Sequence, residues 1–118
     1  MTNEYGAELD RNGYAPSIVQ DDTDCCYICY GCREKLDRHE IFGGANRQKS
    51  KRLGLWVTLC HNDHHIFGPG AVHQNHEVDL ALKQAGQMAA MEHYGWTECD
   101  FYESLGGTTC EFGTGRNN

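Results

Sequence analysis

Cys60-His61-Asn62-Asp63-His64-His65, continuing through Ile66 to Val72-His73-Gln74-Asn75, is the stretch on which the reading of this chain turns. It places one thiol and four imidazoles within fourteen residues. Thiolate and neutral imidazole are the preferred ligands of zinc and related ions. Packing alone gives no reason for such density.

Partners for these groups lie earlier in the chain. Cys25-Cys26-Tyr27-Ile28-Cys29-Tyr30-Gly31-Cys32 holds four thiols in eight positions, as two overlapping C-x2-C pairs, Cys26/Cys29 and Cys29/Cys32. A C-x2-C pair in a tight turn forms a knuckle whose backbone amides point at the thiolates. Joined to Cys60 and His64, such a pair closes a tetrahedral structural zinc site. Cys26/Cys29 is the preferred first pair, since it leaves ten residues in which to turn into the segment carrying His39. Cys29/Cys32 would also work, and Cys25 can replace Cys26 with a small change of register. In either case metal binding becomes folding free energy, about 10–16 kcal/mol at neutral pH.

Once Cys60 and His64 are assigned to that site, His39, Glu40, His65 and His73 remain. A hard divalent ion held by one or two imidazoles and a carboxylate keeps open positions, where it can polarise a phosphoryl oxygen. A free imidazole beside it can take a proton from an attacking water. The pattern therefore predicts two metal sites with different jobs, one structural and one chemical.

The totals set the frame. At 118 residues the chain is expected to form one small domain, of the size that often relies on a disulfide or metal staple. The seven cysteines are odd in number and C-x2-C spaced, which fits metal better than disulfides. The opening Met1-Thr2-Asn3-Glu4-Tyr5 is polar and no apolar run could span a bilayer, so a cytoplasmic protein without membrane contact is expected. Net charge is −7, yet seven of the ten basic residues fall between Arg33 and Arg52. Such a local patch can bind phosphates while the rest of the surface stays acidic.

Along the chain, residues 1–24 are acidic and without apolar period, and are expected to be poorly ordered. Residues 35–42 read as a strand ended by Gly43-Gly44, and residues 45–52 as a polar basic loop. Leu53-Gly54-Leu55-Trp56-Val57-Thr58-Leu59 alternates as a second strand, antiparallel to the first. Residues 77–93 read as a helix, with Asn75 as N-cap and Gly95 at its end. Thr97-Glu98-Cys99-Asp100 has capping-box spacing for a second, short helix with Phe101 and Leu105 facing inward. Cys99 is expected in that helix's core, and His61, His76 and His93 on the surface. Residues 107–118 are expected to be a loose tail.

At this point a resemblance can be stated. The order is C-x2-C, then His39-Glu40-Ile41-Phe42-Gly43-Gly44-Ala45-Asn46-Arg47, a strand to Leu59, Cys60 with His64-His65, and Val72-His73-Gln74-Asn75. It resembles the small HNH endonucleases encoded by bacteriophages, and the likeness spans roughly residues 25–106. The resemblance implies an α+β fold, a zinc-stabilised treble-clef ββα-metal domain followed by C-terminal helices. It implies hydrolysis of DNA phosphodiesters through an activated water, with structural zinc and a catalytic divalent metal, magnesium or manganese, in a bacterial host's cytoplasm. Partners in phage packaging or recombination would fit such a role.

In this family the end of the first strand carries a metal ligand followed by a general base. Here the pair is His39-Glu40, so His39 is favoured as the catalytic imidazole, with Glu40 as metal ligand or as an acceptor behind the ligands; the alternative is the reverse, with His39 on the metal. His65 matches the family's metal-binding His, and His73 is a further candidate ligand. The family's middle Asn is missing near Gly54, and Asn46 is a candidate substitute that would hold a loop or orient the His. Arg47, Lys49, Lys51 and Arg52 become candidate DNA-phosphate contacts. The alternative is a catalytically inactive, zinc-stabilised module that binds nucleic acid or protein through the same basic segment.

Overall fold

The structure is a computed structural model and describes residues 1–31, 35–66 and 68–105. The expectations for Cys32 and for the tail at 107–118 lie outside these residues. The architecture is a small α+β unit: a two-stranded antiparallel sheet, three helices and a long N-terminal segment. Strand β1 is Leu36–Glu40 and strand β2 is Trp56–Cys60. The register pairs Leu36 with Cys60 and Glu40 with Trp56, which brings Cys60 back to the start of β1.

The pleat sorts side chains onto two faces. Asp37 and His39 share a face with Leu59 and Val57, their cross-strand partners, while Arg38 and Glu40 share the other with Thr58 and Trp56. Every residue of β2 is buried, so both faces are covered. Val57 and Leu59 belong to a core with Ile41, Phe42, Leu55, Leu82, Ala90, Phe101 and Leu105.

The opposite face is covered by part of the N-terminal segment that was expected to be poorly ordered: residues 14–20 lie against the sheet. The Trp56 indole donates to the Ala15 carbonyl at 2.8 Å, and Gln20 accepts from the Thr58 amide at 2.8 Å. Its side-chain amide also donates to the Cys25 carbonyl, tying segment, strand and knuckle together. Ile18 donates to the Gly54 carbonyl at 2.9 Å. Gly54 has φ +76°, and a Cβ there would stand 2.3 Å from the Pro16 carbonyl oxygen. Glycine is what lets the two backbones approach.

The segment expected as a basic loop is a 3-10 turn, Gly44–Asn46, running into helix α1, Arg47–Arg52. Its sequence shows no apolar stripe because Ser50 alone is buried. The Ser50 hydroxyl donates to the Leu55 carbonyl and accepts from the Phe42 amide, pinning α1 between the strands. The second strand correspondingly begins later than expected, at Trp56.

Helix α2 is His76–Tyr94 and helix α3 is Glu98–Ser104. Their ends follow the sequence signals. Asn75 accepts from the amides of Glu77 and Val78, Gly95 closes α2 at φ 71°, and Thr97 with Asp100 forms a full capping box. Gly86 lets α2 approach the sheet, since a Cβ there would meet Phe42 at 3.1 Å and Ile41 at 3.2 Å. Phe101 and Leu105 are buried as expected, but Cys99 is exposed, on the outer side of α3. Among the described residues no helix is long and apolar enough to cross a membrane.

Candidate metal centres and the adjoining cavity

The residues after β2 form one π-helical turn, His61–Ile66, and this turn feeds three groups able to hold a metal ion, the third of which, Asp37, His61 and His65, shares His65 with the second. His64 and His65 are neighbours in sequence but serve different ones. The first cluster is Cys26, Cys29, Cys60 and His64, whose ligand atoms all lie within 4.8 Å of one another. The Cys26 sulfur is 3.6 Å from His64 Nδ1, and the Cys29 and Cys60 sulfurs are 3.6 Å apart. These four residues lie close enough to hold a metal ion.

The electrostatics of the thiols fit that use. Burial works against a charged Cys26, but backbone amides of Cys29, Cys60 and Ile28 outweigh it and hold the thiol below its usual range. Burial pushes Cys60 up to about 12, aided by the neighbouring Cys29 and Cys26 sulfurs. Sulfurs this crowded resist ionising together, and a divalent cation removes that conflict by deprotonating its ligands.

The second cluster is His39, His65 and His73, again within 4.8 Å of one another. Their ring centroids are 4.7–5.5 Å apart. Each comes from a different element. His39 is brought by the inner face of β1 and His65 by the π-helical turn. His73 arrives because the following loop folds back on that turn: Val72 donates to the His64 carbonyl and His73 to the His65 carbonyl. Ala71 and Val72 are buried and anchor the return.

The His65 and His73 Nε2 atoms face each other at 3.2 Å. His39 Nε2 is buried with no hydrogen-bond partner. Burial, reinforced by the His65 and His73 rings, lowers the His39 pKa to about 4, so the ring is neutral at physiological pH. Three imidazoles converging on one point, that of His39 with an orphaned nitrogen, form a donor set that a cation would satisfy.

Beside this cluster lies a cavity of about 590 Å³, lined by His39, Glu40, Arg47, His65, His73 and Lys83 among others. Glu40 reaches its rim but is not in the imidazole cluster. Lying on the other face of β1, its carboxylate accepts from the Tyr14 hydroxyl and pairs with Arg47 Nε at 3.2 Å. Burial and the Glu40 carboxylate push the Tyr14 hydroxyl up to about 12, so it remains a donor.

The candidate phosphate contacts do not form one face. Arg47 lines the cavity. Lys51 stacks on the Tyr14 ring, Arg52 pairs with Glu4 at 2.8 Å, and Lys49 and Arg52 line a separate pocket with Tyr5 and Trp96. Asn46 is half-buried, makes no capping bond to α1, and does not line the cavity.

Three participants escaped the sequence reading. Asp79 and Lys83, paired at 3.1 Å on α2, face the cavity. Their i, i+4 spacing was legible, but nothing marked which face of the helix would look onto His39. Asp37 accepts from His65 Nδ1 at 2.8 Å and from His61 Nδ1 at 2.5 Å, so His61 is engaged rather than a free surface residue.

Compared with protein-family models, curated proteins and solved structures, the chain matches none.

Proposed function

We propose that the chain is a metal-dependent endonuclease of the treble-clef, ββα-metal HNH type, which hydrolyses DNA phosphodiesters with an activated water. The observation that carries this reading is the convergence of His39, His65 and His73 on one cavity beside a separate, complete Cys26, Cys29, Cys60 and His64 cluster. A purely structural domain needs only the second of these. Zinc is the ion best suited to that sulfur-rich set, and its role there is to pin the hairpin.

Of the two assignments open for His39 and Glu40, the geometry favours His39 as a ligand. Its orphaned nitrogen is buried among the other imidazoles, and Glu40 stands outside them. Three imidazole donors suit zinc, nickel or iron better than magnesium, which prefers oxygen donors. An ion held by them would polarise a phosphoryl oxygen and stabilise the leaving alkoxide. On this reading Glu40, which contacts Tyr14 and Arg47, accepts the proton of the attacking water. Arg47 and Lys83 supply positive charge along the cavity wall for the phosphate.

A second reading, an inactive binding module, is favoured by one observation. Arg38, Arg47, Arg52 and Lys83 are each already paired with a carboxylate. Nicking of supercoiled plasmid, assayed with zinc, nickel, manganese and magnesium in turn, separates the two. The endonuclease reading expects nicking that His73→Ala abolishes while the fold persists. No nicking with any of these ions assigns the chain to the binding module.

A further inference from the structure

We propose that Asp37 is the positioning residue of the imidazole centre: its carboxylate fixes the tautomer and orientation of His65 so that Nε2 is presented to an ion. The inference rests on reading His39, His65 and His73 as a ligand set. It concerns a residue that lies outside that set.

Asp37 precedes His39 by two positions on β1 and therefore shares its face. Its side chain is only 17% exposed, and Oδ2 is 2.8 Å from His65 Nδ1. A carboxylate accepts and does not donate, so this contact requires the proton on Nδ1. In the neutral ring the lone pair is then on Nε2, the atom that stands 3.2 Å from His73 Nε2. Without the carboxylate the proton can sit on either nitrogen, and about half of the rings or more would have no lone pair to offer at Nε2.

The same oxygen accepts from His61 Nδ1 at 2.5 Å. His61 is the first residue of the π-helical turn, and its amide donates to the Lys35 carbonyl at 2.9 Å. One carboxylate on β1 thus grips the turn at two rings, His61 and His65, on either side of His64.

The test uses the full chain carrying a single equivalent of zinc at the sulfur-rich cluster, with the imidazole centre metal-free, comparing wild type with Asp37→Ala and Asp37→Asn. Nickel titration by calorimetry reads the affinity of the imidazole centre. Loss of an outer partner of a metal-bound His typically costs about 10–100-fold in affinity. Asp37→Ala is expected to fall in that range, and Asp37→Asn, whose amide oxygen can still accept, to lie between it and wild type. Nitrogen-15 chemical shifts of the His65 ring, recorded before nickel is added, give a second readout. Wild type should show the Nδ1–H tautomer and Asp37→Ala a mixture or the Nε2–H form. Wild-type nickel affinity in Asp37→Ala, or an unchanged His65 tautomer, overturns the proposal. Should wild type bind no nickel, the ligand-set reading fails, while the tautomer comparison still decides the role of Asp37.

Discussion

His65 Nε2 and His73 Nε2 stand 3.2 Å apart, although the two residues belong to different turns of the chain. The backbone bond from the His73 amide to the His65 carbonyl, 3.1 Å long, fixes that approach. Two imidazole nitrogens facing each other this closely need either a shared proton or a shared cation. His39 supplies the third ring and the cavity supplies access.

The sulfur-rich cluster is predicted to be the thermodynamic keystone. Elemental analysis of reduced protein should find one tightly held zinc before any ion is added. A strong chelator should unfold the chain, because about 10–16 kcal/mol of binding energy is comparable to a small domain's whole stability. Circular dichroism follows the loss. A chain that stays folded after zinc removal would contradict the assignment.

Seating of the N-terminal segment predicts a cost for a side chain at Gly54. Gly54→Ala places a Cβ 2.3 Å from the Pro16 carbonyl oxygen at a φ of +76°. Left-handed strain alone costs about 1–3 kcal/mol, and the clash adds to it. Denaturant unfolding should show a loss of at least about 2 kcal/mol. A neutral effect would mean that residues 15–18 are not held against α1 and β2.

This prediction also marks where sequence reasoning stopped. The Cys26, Cys29, Cys60 and His64 grouping was legible because metal ligation imposes spacing, and spacing survives in one dimension. The caps at Asn75 and Thr97 were legible for the same reason, being bonds across two or three residues. The N-terminal segment was not. Its anchors, Ala15 to Trp56 and Gln20 to Thr58, join residues 41 and 38 positions apart, each a side chain meeting a backbone atom, and bonds so distant in sequence leave no spacing to read. Helix α1 was missed because a surface helix with one buried serine has no apolar period. Asp37 carried no signal of its role, since its partner His65 lies 28 residues on.

Asn75 tests whether a polar residue near the centre has a structural or a chemical task. It accepts from the Glu77 and Val78 amides and donates to the Pro69 carbonyl at 3.2 Å. Asn75→Ala should lower stability by about 1 kcal/mol through loss of the cap. Asn75→Asp, which keeps the acceptor, should recover most of it. Nicking should survive both changes, and its loss in a folded Asn75→Asp protein would give Asn75 a part in the chemistry.

The His39 ring predicts a pH dependence with a definite sign. Its pKa is lowered from 6.5 to about 4, chiefly by burial, so the unfolded chain binds a proton that the folded chain refuses between those values. Stability from this group is complete above pH 6.5 and falls as pH drops toward 4, by up to about 3 kcal/mol. In protein carrying one zinc, at the sulfur-rich cluster alone, the His39 ring proton resonances should not titrate between pH 8 and 5.5. His39→Gln should have a shallower loss of stability over the acid range. A His39 midpoint near 6.5 would place the ring in solvent.

The central claim is that the chain carries two metal centres, one sulfur-rich and one built from His39, His65 and His73. Ion stoichiometry after equilibrium dialysis against zinc or nickel, with wild type and His39→Ala side by side, tests it most directly. The account predicts two ions per chain in wild type and one in His39→Ala, the remaining ion still bound by sulfur. One ion in both proteins, or two in both, would contradict it.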